Sequence, residues 1–152
     1  GEQEDAQALT ARLAELGAQA LSEAVEALRN GTASRTPQDA SRQTYASMLS
    51  REMSPIDWNR TARQINCQVR GLIPWPCATT ELAGQRFKIY ETALGRETAA
   101  APGTVLSAGK QGIEVACGDG RSLYLTQLQA EGGKRMAAAA YLLGHPMEIS
   151  SN

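Results

Sequence analysis

One histidine and three cysteines are all the soft metal-ligating chemistry that these 152 residues offer. Cys67, Cys77 and Cys117 are odd in number, form no Cys-x-x-Cys pair and stand far along the chain from His145. That spacing argues against both a zinc site and a disulfide framework. His145 immediately precedes Pro146, and nothing in its surroundings sets it beside a cysteine. A cysteine enzyme with an imidazole base is therefore disfavoured, and the thiols read as small core or strand residues. Long apolar runs are missing too. No stretch approaches the roughly 20 residues that cross a bilayer, and the acidic beginning Gly1-Glu2-Gln3-Glu4-Asp5 lacks the basic-then-apolar order of a secretion signal. The expectation is a soluble, cytoplasmic chain with no membrane partner.

What is present is unevenly distributed. Residues 1–45 hold seven acids and four bases, a net −3, whereas residues 46–152 hold eleven bases and nine acids, a net +2. The second part leans mildly toward a polyanionic partner. Both tryptophans and three of the six prolines fall between Tyr45 and Pro76, and this stretch reads as a joint between two differently built units.

Upstream of the joint, residues 5–29 place Leu9, Leu13, Leu16, Ala20 and Leu28 at helical spacing, with Leu21 and Val25 on the same broad stripe. Asn30-Gly31 ends this amphipathic helix. A lone helix cannot bury such a stripe, so it requires a partner surface. Residues 32–44 are polar and aperiodic, contain Pro37, and read as a linker. A second helix is expected from Asp57 as N-cap to about Arg70, with Ile65 and Val69 inward, Trp58, Ala62 and Cys67 at the edges, and Arg60, Arg63, Asn66 and Arg70 turned elsewhere. Arg60, Arg63 and Arg70 then form a basic ridge that suits either a solvated face or phosphate contacts.

After Pro74-Trp75-Pro76 the apolar period changes to two. Strands are expected at 79–83, 86–92, 104–108, 113–117 and 122–129, joined by glycine turns, with a loop at 96–101 and a closing helix at 136–143. In the second of these strands Phe87, Ile89 and Glu91 are expected to share one face, and Lys88 and Tyr90 the other. The fold class is α+β, mainly β: a small antiparallel oligonucleotide-binding-like barrel with flanking helices, preceded by a separate amphipathic helix and linker.

Catalytic groups are scarce. Asp119, between Gly118 and Gly120, is explained by turn geometry. Gly132-Gly133-Lys134-Arg135 could hold phosphate ahead of a helix, although it lacks the spacing of a nucleotide-binding loop, so a nucleic-acid backbone is its better target. Exposed, Trp58 and Trp75 would suit base stacking. Their settings, one after a cap and one between prolines, point instead to core packing, which leaves arginine and lysine contacts to phosphate as the main means of binding.

Several short segments occur in an order that resembles the methionyl-tRNA formyltransferase family. They are Thr44-Tyr45-Ala46, Leu49-Ser50, Ile56-Asp57-Trp58, Pro74-Trp75-Pro76, Ala101-Pro102-Gly103-Thr104-Val105, Gly118-Asp119-Gly120, Leu128-Gln129 and Gly133-Lys134-Arg135-Met136. Upstream, Leu13-Ala14-Glu15-Leu16-Gly17-Ala18 and Thr36-Pro37-Gln38-Asp39 match as well.

The resemblance implies an intact enzyme that moves a formyl group from 10-formyltetrahydrofolate, its co-substrate, to the amino group of methionyl initiator tRNA. In the family the catalytic asparagine, histidine and aspartate belong to an N-terminal domain whose motifs this sequence does not contain. It therefore implies that residues 1–31 are the last helix of the catalytic domain, 32–54 a linker and 55–152 the C-terminal barrel, which helps hold the tRNA. The fragment itself is expected to have no catalytic residues, no cofactor and no activity. Its partners would be the initiator tRNA and the N-terminal catalytic domain of the same polypeptide, within a monomer. Arg51, Arg60, Arg63, Arg70, Lys134 and Arg135 are the expected tRNA contacts. Met48 stands where the family commonly has lysine, so Arg51 alone keeps the charge of that segment. The competing reading is a non-catalytic protein-interaction barrel from a related sugar or folate formyltransferase.

Overall fold

Asp5 supplies the first structural boundary. Its carboxylate accepts from the Ala8 N–H at 2.8 Å and caps α1, Ala6–Arg29, in a computed structural model that describes residue 1 and residues 3–147. Gly31, at φ 68°, closes the helix. None of the residues of α1 is buried, and Leu13, Leu16, Leu21, Val25 and Leu28 stay exposed along the expected stripe. The helix end is tethered where Arg70 Nη1 donates to the Glu4 carbonyl at 2.7 Å. The residues that follow, 30–49, are exposed and carry one 3-10 turn, Ala40–Arg42, and a second, Arg51–Met53, comes before the second helix.

The second helix begins later than the sequence suggests. Asp57 caps only a turn, accepting from the Asn59 N–H at 3.0 Å. The helix α2, Ala62–Gly71, starts after Thr61, which exchanges reciprocal hydrogen bonds with Gln64. A two-donor capping box satisfies more of the free N–H groups than a lone aspartate does, and so it wins. Ile65 and Val69 are buried as expected, and Ala62 joins them. Asn66 departs from expectation: it is buried and donates to Thr92 Oγ1 at 2.8 Å, while Cys67 is exposed.

Six antiparallel strands follow in a single sheet: β1 Ala78–Leu82, β2 Gln85–Glu97, β3 Val105–Gly109, β4 Gly112–Ala116, β5 Arg121–Ala130 and β6 Met136–Ala137. Their order is β1-β2-β5-β4-β3, with β6 on β5. The class is the expected mainly-β α+β one; among the described residues the hydrogen-bonded path stays open between β1 and β3. Strand β2 continues past its expected end at residue 92 and into the first two residues of the expected loop, as far as Glu97, passing three register shifts against β5. Those shifts break the alternation, which is why its second half does not read as a strand and why Glu91 leaves the Phe87–Ile89 face. Met136 and Ala137 pair with β5 before the helix α3, Ala138–Gly144, begins.

The sheet shares one core with α2 and α3, made by Ile65 and Val69, Phe87 and Ile89, Ile113 and Val115, Leu123, Leu125 and Leu128, and Ala138. Tyr141 from α3 meets Phe87 edge-on at 5.3 Å. Gly118 brings the 118–120 turn against the Asn59 backbone, where any Cβ would collide. Asp119 then accepts from the Ala62 N–H at 3.2 Å, so the turn residue also serves the start of α2. No described helix is long and apolar enough to cross a membrane.

Candidate nucleic-acid interface

With Phe87 and Ile89 in the core, alternation turns Arg86 and Lys88 outward from β2. Lys88 lies between Thr79 of β1 and Gln129 of β5 in the pairing register. The segment before α2 reaches the same place, because Thr79 N–H donates to the Ser54 carbonyl at 2.7 Å and Ile56 N–H to the Thr79 carbonyl at 2.8 Å. That pairing carries Arg51 to the edge of the strands. Trp75 arrives from the other side on an anchored loop. Leu72, Ile73, Cys77 and Ala78 are buried around it, and Cys77 N–H donates to the Leu72 carbonyl at 2.9 Å.

Together Arg51, Ser54, Trp75, Arg86, Lys88 and Gln129 line a cleft of about 480 Å³, with Glu131 and Gly132 also in its lining. Three cations face it against one acid, and none of the three has an ion-pair partner among the described residues. Trp75 is 50% exposed, which overturns the expectation that prolines on both sides would send it into the core. The prolines fix the loop, but the buried flanks leave the ring outside. Trp58 does pack against the core, with its Nε1 donating to Thr80 Oγ1 at 3.1 Å.

The other expected contact residues are divided between the surroundings of this cleft and other parts of the surface. Arg135 lies over the Tyr90 ring at 4.5 Å, donates to Gln127 Oε1 at 2.7 Å and reaches Glu91 at 3.3 Å. Tyr90, whose phenol burial pushes up, donates to Gln129 Oε1 at 2.8 Å, and Gln129 Nε2 donates to the Gly133 carbonyl at 2.8 Å. These bonds attach the 131–135 loop, with exposed Lys134, to the floor of the cleft. Arg60 and Arg63 border a separate groove of about 750 Å³ with Leu49, Met53 and Leu72. Arg60 precedes α2, and Arg70 is engaged by Asn66 Oδ1 at 3.1 Å and the Glu4 carbonyl. The three arginines accordingly do not form one ridge.

A second polar cluster lies further along β2. Glu114 of β4, 1% exposed, accepts from Arg96 Nε at 3.0 Å, Ser107 Oγ at 2.9 Å and Ser122 Oγ at 2.8 Å. Burial raises its carboxyl pKa, but those bonds and the Arg96 charge outweigh burial and hold it below the usual carboxylate range. Every acceptor position is used by the protein itself. Burial pushes the Cys117 thiol up to about 12, aided by the Asp119 charge, so it is not a thiolate nucleophile. No group of three metal-ligating side chains gathers among the described residues.

Arg86, Lys88 and the exposed Trp75 are the members of the cleft that the sequence analysis did not select. The alternation that buries Phe87 and Ile89 was the available signal for the two cations; the exposure of Trp75 had none.

Comparison with known proteins places these observations in a family. Residues 48–146 match the model described as formyl transferase, C-terminal domain. A protein of Trichlorobacter lovleyi described as methionyl-tRNA formyltransferase is 44% identical over 148 residues, covering 97% of this chain and 46% of that protein. One of the same description from Xylella fastidiosa is 46% identical over 133 residues, covering 86% of this chain and 43% of that protein. The chain spans about half the length of the curated relatives it matches. Among solved structures, HypX from Aquifex aeolicus in complex with tetrahydrofolic acid aligns with a TM-score of 0.60 at 19% identity, over 82% of this chain and 22% of that one. Similarity at that identity shows a shared fold.

Proposed function

The chain belongs to the formyl transferase C-terminal domain family, and from that premise we propose that it is the tRNA-docking part of a methionyl-tRNA formyltransferase. The intact enzyme would transfer a formyl group from 10-formyltetrahydrofolate to the amino group of methionyl initiator tRNA during translation initiation, in the cytoplasm. The chemistry belongs to an N-terminal catalytic domain of the same polypeptide, with residues 1–31 as its last helix, 32–54 as the crossing and 55–152 as the docking domain. The exposed apolar stripe of α1 supports this division, since it has the character of a surface that packs on another body. Arg51, Arg60, Arg63, Arg70, Lys134 and Arg135 are the proposed tRNA contacts, joined by Arg86 and Lys88.

One observation carries the reading: Arg51, Arg86 and Lys88 converge on one cleft without anionic partners. Unpaired cations held on a strand and on the segment paired to the sheet favour a polyanion and position it without reading its sequence. The chain is expected to bind initiator tRNA weakly, with log Kd depending on log salt at about 0.7 to 0.9 per phosphate neutralised, a magnitude of roughly 2 to 5 in all. Filter binding or anisotropy across a salt series measures this, and an affinity indifferent to salt would overturn it. The chain alone is expected to leave charged tRNA unformylated when given the formyl donor, and turnover by the pure chain would refute the proposed division of labour.

A further inference from the structure

Of the aromatic rings beside the cleft, Trp75 and Tyr90 differ in one respect. The Tyr90 face is covered by the Arg135 guanidinium, whereas Trp75 is half exposed beside three cations that have no partner. The Trp75 loop is pinned on both sides: Leu72 and Ile73 are buried before it and Cys77 and Ala78 after it, and Cys77 Sγ lies 3.1 Å from the Pro74 carbonyl. A large apolar ring held still at the surface loses little freedom when something stacks on it.

We propose that the cleft seats one unpaired nucleobase of the bound RNA on the Trp75 ring, with Arg51, Arg86 and Lys88 holding the phosphates on either side. This rests on the RNA-docking reading above and adds to it a preference for a single-stranded segment. Bases inside a duplex present only their edges, so an open tryptophan face stacks on a base that has left its helix or on the uncovered pair at a helix end. The cleft, about 480 Å³, falls within the size range of small-ligand sites. Gln129, the one amide side chain in the lining, already accepts from Tyr90 through its oxygen and donates to Gly133 through its nitrogen. Recognition therefore comes from stacking and charge, and tolerates any base.

The test uses the 152-residue chain and three probes: single-stranded tetra-adenylate, a long fully paired RNA duplex in which the uncovered end pairs are few, and AMP. Binding is followed by tryptophan fluorescence and competition. Tetra-adenylate is expected to quench the fluorescence. Trp75→Ala should weaken its binding by about 5- to 150-fold without changing the salt slope, and Trp75→Phe should restore most of the affinity. The same alanine variant should bind the duplex within about twofold of wild type, and its thermal midpoint verifies that it folds. Unchanged tetra-adenylate affinity in Trp75→Ala, beside a loss in Arg86→Ala, would overturn the stacking site while leaving RNA docking intact. An equal loss on the duplex would overturn it as well, and AMP binding as tightly as tetra-adenylate would reassign the cleft to free nucleotides. If neither the RNA probes nor initiator tRNA bind the wild-type chain, the docking reading itself fails.

Discussion

The two ends of β2 hold arginines in opposite circumstances. Near its C-terminal end, Arg96 donates to a carboxylate that is only 1% exposed, and the hydroxyls of Ser107 and Ser122 complete the shell of that carboxylate. Near its N-terminal end, Arg86 and Lys88 face an open cleft with no carboxylate paired to them. The first cluster joins β2, β3, β4 and β5 and has no acceptor left over. The second contributes nothing to cohesion and keeps its charge available. Charge that is satisfied inside the protein holds the fold, and charge left unsatisfied at its surface is free to bind.

That contrast separates stability from binding, and substitutions can break it. Glu114→Ala should have the largest effect, a loss of about 3 kcal/mol of stability, because the buried Ser122 hydroxyl and the half-buried Ser107 hydroxyl lose a charged acceptor and a void remains. Urea unfolding measures it, and RNA affinity should be unchanged; a loss under about 0.5 kcal/mol would mean that the cluster is not structural. Gly95→Ala comes next at about 2 kcal/mol, since a methyl group there would run into Ser122 Oγ and displace the hydroxyl from Glu114. Acid should act through the same carboxylate. Its pKa in the folded protein lies below the ordinary 4.5, so its contribution is fully present above that value and is lost as pH falls through the folded pKa. Thermal midpoints taken downward from pH 5 should fall more steeply in the wild type than in Glu114→Gln. The smallest effect on stability belongs to the other end of β2. Arg86→Ala and Lys88→Ala should each stay within about 0.5 kcal/mol of wild type in urea, yet each should lower the salt slope of tRNA binding by about 1.

Much of the fold was legible because it rests on local chemistry. Apolar spacing marked α1, and glycine turns with period-two alternation marked most of the sheet. The start of α2 was misplaced although its signal was present: Thr61-x-x-Gln64 is a capping box, and the competing Asp57 proved to cap a turn. The second half of β2 was hidden because its register shifts destroy the pattern that identifies a strand. Glu114 lies in the middle of a strand of five buried residues, and no composition rule announces a charged residue there. Its position becomes sensible only once Arg96, eighteen residues earlier in the chain, is seen to reach it.

The functional face divides in the same way. Sequence alone determined the chemical character of the chain: a basic second part, scarce catalytic groups, a helix whose stripe needs a partner, and a run of short segments like those of one enzyme family. Those properties follow from residue types and from neighbours a few positions apart. Only the tertiary structure decided which cations work together. Pairing of β1 with both β2 and the Ser54–Ile56 segment brings Arg51 beside Lys88, while the start of α2 sends Arg60 and Arg63 to another groove and Glu4 claims Arg70. It also decided that Trp75 stays outside and Trp58 goes in. Proline can fix the direction of a loop, but whether a ring is covered depends on what the rest of the chain packs over it.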